Sequence, residues 1–331
     1  MTVLVTGGAG YIGSHMVLAL VDAGQDVVVL DDLSTGFAWL VHPKAHFVQG
    51  DCGEERLVSE IIRDHDIDAI VHFAGSIVVP DSVVDPLGYY LNNTVKAHAL
   101  IRAAVRNKVS RFIFSSTAAV YGDAKESPIS ETAALDPVSP YGTSKLMTEM
   151  MLKDTAAAHP LRYVALRYFN VAGADPQCRS GQSSQRATHL IKVATQAALG
   201  ERSHLAIFGS DYPTRDGTCI RDYIHVSDLA QAHILALDYL RSGGDSVVLN
   251  CGYGRGYSVR EVIDAVKRVS GIEFAVRAEG RRAGDPATLI AGADRIRQVL
   301  GWKPALDDLE TIIAHALAWE EHLKRQRAAA A

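Results

Sequence analysis

Cysteine, basic excess and long apolar runs are scarce in this 331-residue chain. Its four cysteines, Cys52, Cys178, Cys219 and Cys251, are scattered without a Cys-x-x-Cys pair. That spacing offers neither a disulfide framework nor a zinc ribbon and fits reduced thiols in a cytoplasmic protein. Lys and Arg number 33 against 38 Asp and Glu, a net charge of −5. A nucleic-acid backbone or an anionic membrane is therefore not the expected partner, and any bound phosphate must be held by a few placed groups. No apolar run reaches membrane-spanning length, and the N-terminus lacks the basic-then-apolar pattern of a signal peptide. Among 13 histidines only His42 and His46 stand at an i, i+4 helical spacing, with Pro43 between them and no third ligand, so no metal site is expected. There is no internal repeat.

What is present is an ordinary globular balance, 48% apolar and 21% charged residues. The first half alternates β-branched apolar runs with helical stretches. Strands are expected at Thr2–Thr6, Asp26–Leu30, Ala69–Phe73, Arg111–Ser115 and Tyr163–Arg167. Helices are expected between them at Ile12–Ala23, Glu55–His65, Asn93–Asn107 and Tyr141–Ala158. Such alternation reads as right-handed βαβ units on a parallel sheet. The pattern breaks in the loop-rich stretch 171–186. Beyond it, Ser258 and Glu261 form a capping box before an amphipathic helix at Val259–Val269, and a last helix runs from about Leu306 to Arg325. The expected fold is α/β: a Rossmann-type doubly wound parallel sheet over residues 1–170, joined by returning segments near 219–240, with a smaller α/β domain over 171–331.

Gly7, Gly10 and Gly13 follow the first strand and open the first helix. Glycines so spaced permit a tight turn, close approach of the backbone to a pyrophosphate, and close helix–strand packing, with the phosphates on the positive helix end. Asp31 and Asp32 end the next strand, about twenty residues on, where a carboxylate can bond the adenosine ribose. Two carboxylates would repel a 2′-phosphate, so NAD is expected over NADP. Gly50-Asp51-Cys52 and His72-Phe73-Ala74-Gly75-Ser76 also end strands, where an open parallel sheet places its ligand crevice.

Tyr141 and Lys145 lie four residues apart, which puts them on one helix face about 6 Å apart along the axis. A cationic lysine and a positive nicotinamide would both lower the phenol pKa, making the phenolate a base near neutrality. Thr117 ends a preceding strand and offers a hydroxyl to a substrate oxygen.

The segments Gly7–Gly13, Ser115–Thr117 and Tyr141–Lys145 together resemble the extended short-chain dehydrogenase/reductase family, and over nearly its whole length the chain resembles the NAD-dependent 4-epimerases of UDP sugars. The stretches 5–15, 31–36, 114–122 and 139–145 carry the likeness, and 166–170, 207–214, 221–226 and 281–285 separate epimerases from other members. The resemblance implies Thr117, Tyr141 and Lys145 as the catalytic set. It implies a cofactor site of Gly7, Gly10, Tyr11, Ile12, Gly13, Asp31, Asp32, Ser34, Thr35, Gly36, Asp51, Cys52, Phe73, Ala74, Gly75, Ser76, Asn92, Ser115, Tyr141, Lys145, Tyr168 and Phe169. The UDP-sugar substrate would be held by Ser116, Thr117, Tyr141, Asn170, His189, Leu190, Ala206, Phe208, Arg221, Arg282, Asp285 and Leu289. The two arginines suit a diphosphate through paired, charge-assisted bonds. The implied reaction is interconversion of UDP-galactose and UDP-glucose by oxidation and re-reduction at carbon 4 with retained NAD, in a homodimer.

Three positions depart from the enterobacterial members: Ile77 replaces a lysine near the cofactor, His189 an asparagine at the nucleotide, and Leu289 a tyrosine lining the sugar pocket. The smaller Leu289 leaves activity on UDP-N-acetylglucosamine open. The dehydratases of the family carry Asp-Glu after the catalytic Thr, where Ala118-Ala119 stand here, so elimination of water is excluded. Epimerisation of another UDP sugar such as a uronate or pentose, UDP-glucuronate decarboxylation, and a catalytically silent NAD-binding regulator remain alternatives.

Overall fold

A computed structural model describes residues 1–184, 188–282 and 285–330. Strands β1 (Thr2–Thr6), β2 (Asp26–Asp31), β3 (His46–Gln49), β4 (Ile67–His72), β5 (Arg111–Thr117) and β6 (Arg162–Tyr168) build a parallel sheet. β7 (Asn170–Ala172), β8 (Leu205–Phe208) and β9 (Ile220–His225) leave it, and β10 (Val247–Cys251) returns to pair with β6. The order is β10-β6-β5-β4-β1-β2-β3. β1 is flanked by β2 on one side and β4 on the other, so the winding direction reverses there and opens a crevice beyond the strand ends.

Side-chain alternation along the strands explains why both faces are covered. Val3, Val5, Val29 and Val71 face α1 (Tyr11–Asp22) and α8 (Val226–Arg241). Leu4, Leu30, Ile70, Phe112 and Phe114 face the opposite layer of α2 (Glu55–Asp64), α5 (Lys96–Arg106) and α6 (Pro140–Ala158). Two short helices, α3 (Val79–Val84) and α4 (Pro86–Tyr89), precede α5.

The remaining residues form smaller sheets. β9 pairs with β7, β11 (Gly256–Ser258) and β13 (Thr288–Leu289), while β8 pairs with β12 (Val276–Glu279). Helices α7 (Leu190–Ala198), α9 (Val259–Ser270), α10 (Asp294–Leu300) and α11 (Leu309–Ala330) pack around them. The capping box read at Ser258 and Glu261 is formed.

The structure differs from the sequence expectation at three places. The sheet gains β3, an edge strand of four residues, and β10, which returns to it from the second half of the chain. Within 219–240, β9 belongs to the smaller sheet and α8 lies on the large one, while the strand that returns is Val247–Cys251. The helix expected from Asn93 begins earlier, as a π-helical turn over Tyr90–Val95 that continues into α5. Of the segments quoted for the resemblance, Ala283 and Gly284 lie outside the described residues, as do Gln185 and Arg186 of the expected loop.

Candidate active site

A cavity of about 1740 Å³ runs from the glycine turn to the second sheet. Pockets for single small ligands run to roughly 300–1,000 Å³, so this one has room for a dinucleotide and a nucleotide sugar together.

At one end, Gly7 adopts φ +74°, and a Cβ there would lie 2.6 Å from the Ala74 nitrogen. A Cβ on Gly13 would lie 2.1 Å from the Gly7 oxygen, so the helix can approach the strand only without one. At Gly10 the nearest neighbour of such a Cβ is the Gly7 oxygen at 3.3 Å; a side chain there would project into the cradle before the start of α1. The residues present therefore fit a dinucleotide pyrophosphate. Asp31 closes the turn, accepting from the Ala9 and Leu33 N–H groups at 3.0 and 2.8 Å. Its burial raises the pKa against those bonds. Asp32 accepts from the N–H and hydroxyl of Ser34, and Lys96 Nζ stands 4.0 Å from it and 2.8 Å from Asp51. The acidic pair thus does not present two free charges: Asp31 serves the loop and Asp32 has a cation beside it. Lys96 lines the cavity and was missed, because nothing in its helical pattern points to a strand end two elements away.

Gly36 stands outside the lining and packs against Ala9, where a Cβ would lie 2.9 Å from the Ala9 Cβ. Tyr11, Ile12, Ser34, Thr35, Asp51, Cys52, Phe73, Ala74, Gly75, Ser76 and Asn92 do line the cavity. Burial pushes the Cys52 thiol up to about 12, making it inert. The π-helical turn aims both Asn92 and Asn93 at Ser76: the Asn92 amide donates to the Ser76 hydroxyl at 2.9 Å, and the Ser76 N–H donates to Asn93 Oδ1 at 2.7 Å. Asn93 also donates to the Ser144 hydroxyl, tying the Gly75–Ser76 turn to α6. It is a second residue that the sequence pattern did not disclose.

Tyr141 sits at the centre of the cavity, one residue into α6 after the Ser139 cap and Pro140. The nearby Thr117 hydroxyl draws the phenol's pKa down, but burial is the larger influence and holds it above the ordinary value. Lys145 lies one turn on, away from the cavity lining, and donates from Nζ to the Ser115 carbonyl at 3.0 Å with the Phe114 ring 5.0 Å away. Burial lowers it to about 8. The expected lysine–phenol pairing is therefore indirect: the cation is nearby but bonded to the strand. Ser115 lies behind Tyr168, hydroxyl to hydroxyl, and Tyr168 and Phe169 line the cavity. Ser116 is not at the cavity. Strand alternation turns it to the α6 face, where its hydroxyl donates to Glu149 at 2.5 Å.

The far end gathers Asn170, His189, Leu190, Ala206, Phe208, Arg221, Arg282, Asp285 and Leu289 on the lining. Arg221 donates to the Pro286 carbonyl at 2.8 Å and lies 3.5 Å from Asp285, and β13 pairs Leu289 beside it. The Arg282 guanidinium stacks 3.6 Å from the Phe208 ring centre. His189 shares a 2.8 Å bond with the Gln182 amide, and burial lowers its pKa, so it stays neutral. Ile77, at the lysine position of enterobacterial members, lines the cavity with its side chain largely exposed. From the last helix, Ala316, Trp319 and Glu320 complete the wall; Trp319 stacks on Trp39 of the cofactor-side loop, and Glu320 pairs with Lys192. Among the described residues no group of three or more His, Cys, Asp or Glu is placed to hold a metal.

Residues 3–252 match the NAD dependent epimerase/dehydratase family. The chain belongs to that family. A UDP-glucose 4-epimerase of Azospirillum brasilense is 58% identical over 98% of this chain and 93% of its own. Among solved structures, the UDP-glucose 4-epimerase of Brucella ovis in complex with NAD superposes with a TM-score of 0.93 at 44% identity, covering 96% of this chain and 97% of its own. A UDP-Glc/GlcNAc 4-epimerase of Campylobacter jejuni gives 0.85 at 47% identity, covering 97% and 99%. This family member therefore shares fold and length with proteins named as 4-epimerases.

Proposed function

We propose that the chain is a UDP-glucose 4-epimerase, interconverting UDP-galactose and UDP-glucose with NAD held throughout the cycle. One observation carries the reading: Tyr141 and Thr117 stand on the wall of a single cavity whose lining also holds the dinucleotide cradle and the Arg221–Arg282 end. The Thr117 hydroxyl holds the sugar's 4-oxygen, and Tyr141 takes the 4-hydroxyl proton. NAD, held against the Gly7–Gly13 turn, would supply the hydride acceptor for carbon 4, and its positive ring would lower the phenol pKa against its burial. Arg221 and Arg282 anchor the diphosphate while the 4-keto sugar turns over. Ala118 and Ala119, lining the cavity after Thr117, hold no acid or base that could eliminate water.

Tyr141→Phe is expected to lower turnover about 10³-fold or more, since a general base alone contributes 10²–10⁴, while NAD stays bound. The assay is conversion of UDP-galactose without added cofactor. Near-normal turnover in that variant would remove Tyr141 as the base, and release of NADP from denatured protein would overturn the cofactor assignment. A second reading, acceptance of UDP-N-acetylglucosamine, is favoured by Leu289, a flexible aliphatic side chain on the cavity wall.

The NAD-binding unit is assigned to residues 1–170 with α8 and β10 added, and the UDP-sugar unit to the rest. We assign the protein to the cytoplasm, in keeping with four unpaired cysteines and the absence, among the described residues, of a helix long and apolar enough to cross a membrane. The homodimer implied by the likeness has a suitable face: Val84, Leu87, Leu91, Val95, Met147 and Met150 are exposed on α3–α5 and α6. Apolar residues clustered on a surface in this way mark an association site. Light scattering of the purified chain, with and without Leu91→Arg, tests it.

A further inference from the structure

Ser116, which faces away from the cavity, belongs to a buried network that neither the motifs nor the mechanism uses. We propose that Glu149 is a positioning residue for the reaction, holding the end of β5 that carries Thr117 in register with the helix that carries Tyr141. The proposal rests on the assignment of Tyr141 and Thr117 as the reacting pair.

Tyr141, Lys145 and Glu149 follow one another at one-turn steps on α6, and each faces one of three consecutive β5 residues, the latter two through hydrogen bonds. Tyr141 faces the Thr117 hydroxyl, Lys145 takes the Ser115 carbonyl at 3.0 Å, and Glu149 accepts from the Ser116 hydroxyl at 2.5 Å. Glu149 is in turn bound through both oxygens by Arg167, with Nε at 2.9 Å and Nη2 at 2.5 Å; the two residues are 5% and 4% exposed. Arg167 Nη1 donates to the Tyr121 oxygen at 3.0 Å, and Tyr121 donates to Asn250 Oδ1 at 2.6 Å. Asn250 donates to the Ile129 carbonyl, and Ile129 exchanges bonds of 2.8 and 2.7 Å with Ile290 and Gly292, next to Leu289 on the sugar wall. Ser116, Arg167 and Asn250 are register partners on neighbouring strands, so the row crosses β5, β6 and β10 on one sheet face.

A buried ion pair is a poor source of stability compared with apolar packing of similar volume. A fully satisfied network of directional bonds does fix geometry. Here it joins three parts that must keep station: the base, the hydroxyl that holds the substrate oxygen, and the wall beside the sugar. Neither Glu149 nor Arg167 lines the cavity, so neither touches substrate or cofactor.

The test compares Ser116→Ala, Ser116→Thr and Glu149→Gln with the unsubstituted enzyme. Turnover of UDP-galactose is expressed per bound NAD, so that misfolded protein does not count, and melting is recorded alongside. Misplacement of reacting groups by about 1 Å costs on the order of 100-fold. Glu149→Gln is expected to lose about that much in kcat, and Ser116→Ala roughly 10-fold, with KM within about twofold and NAD content unchanged; Ser116→Thr, which keeps the hydroxyl, restores kcat. A purely structural role would lower the melting temperature and leave kcat per bound NAD untouched. That result, or a loss confined to KM, overturns the proposal. If Glu149→Gln fails to fold, the Ser116 pair decides it. The unsubstituted enzyme's own turnover, measured in parallel, reports separately on the epimerase assignment.

Discussion

The two ends of the cavity are built differently. The cofactor end is made from the C-terminal ends of β1, β2 and β4 and from glycines whose missing Cβ atoms are filled by neighbouring backbone at 2.1–2.6 Å. The UDP end is assembled from side chains on separated segments, several of them partly exposed: Asn170, His189, Arg221, Arg282 and Leu289. In the first, the site and the fold are the same object. In the second, the fold is a scaffold and the side chains are interchangeable on it. Damage to the first should appear as lost cofactor and lost stability, and damage to the second as altered KM or substrate range.

The largest expected effect follows from Gly13→Ala. Its Cβ would meet the Gly7 oxygen at 2.1 Å, and that neighbour is backbone, which cannot swing aside. Overpacking costs about 1–3 kcal/mol or more, so the variant should purify without NAD and melt several degrees lower. Full cofactor content, read from the absorbance of denatured protein, would erase the contrast between the two ends.

Acid should act next, and chiefly on the large sheet and its covering helices. Burial lowers His15 and His233 to about 4 and His72 and His225 to about 3, from 6.5. The unfolded chain takes up these protons at 6.5 while the folded one refuses them until pH 3–4. The unfolded state therefore binds more protons throughout that window, and stability is lost as pH falls from about 6.5 toward 4. Each histidine contributes up to about 1.4 kcal/mol per pH unit. Thermal melts at pH 7.5, 6 and 5 should show a steepening fall; a flat profile would mean these imidazoles are less enclosed than their packing indicates.

At the UDP end, Arg282→Ala should raise KM about 10-fold or more, the loss of a charge-assisted contact of roughly 1.5–3 kcal/mol, with kcat, NAD content and melting temperature nearly unchanged. Steady-state kinetics with UDP-galactose measure this. The smallest effect is expected from Leu289→Tyr, which should leave UDP-galactose turnover within about threefold and reduce any activity on the N-acetylated sugar by roughly 10-fold or more, the discrimination a pocket's shape can supply.

The same contrast governs what could be read from the sequence. The Gly7–Gly13 turn and the shared helix face of Tyr141 and Lys145 are legible because a tight turn or one helix turn fixes their spacing locally, whereas the use of Asp31 by its own loop and of Lys145 by the β5 backbone is not. Strand β3 is edge-placed and only four residues long, and β10 pairs with β6 only after a long excursion of the chain. The resemblance places Ser116 at the substrate, whereas strand alternation gives the middle residue of Ser115–Thr117 to the opposite face, toward Glu149. Lys96 reaches the cavity, and Asn93 the Ser76 turn behind it, beside a π-helical turn that shifts the helical phase, which apolar periodicity does not encode. Glu149 was invisible for a related reason: only the packing of α6 on β5 reveals what it holds.

The wall contributed by Ala316, Trp319 and Glu320 bears on how the protein is made. The glycine turn emerges from the ribosome before α11 does, at a synthesis rate of roughly 5–20 residues per second. A nascent chain can complete much of its parallel sheet while the cavity still stands open along the side that Trp319 and Trp39 later close together. Final enclosure of the dinucleotide therefore waits until α11 is in place.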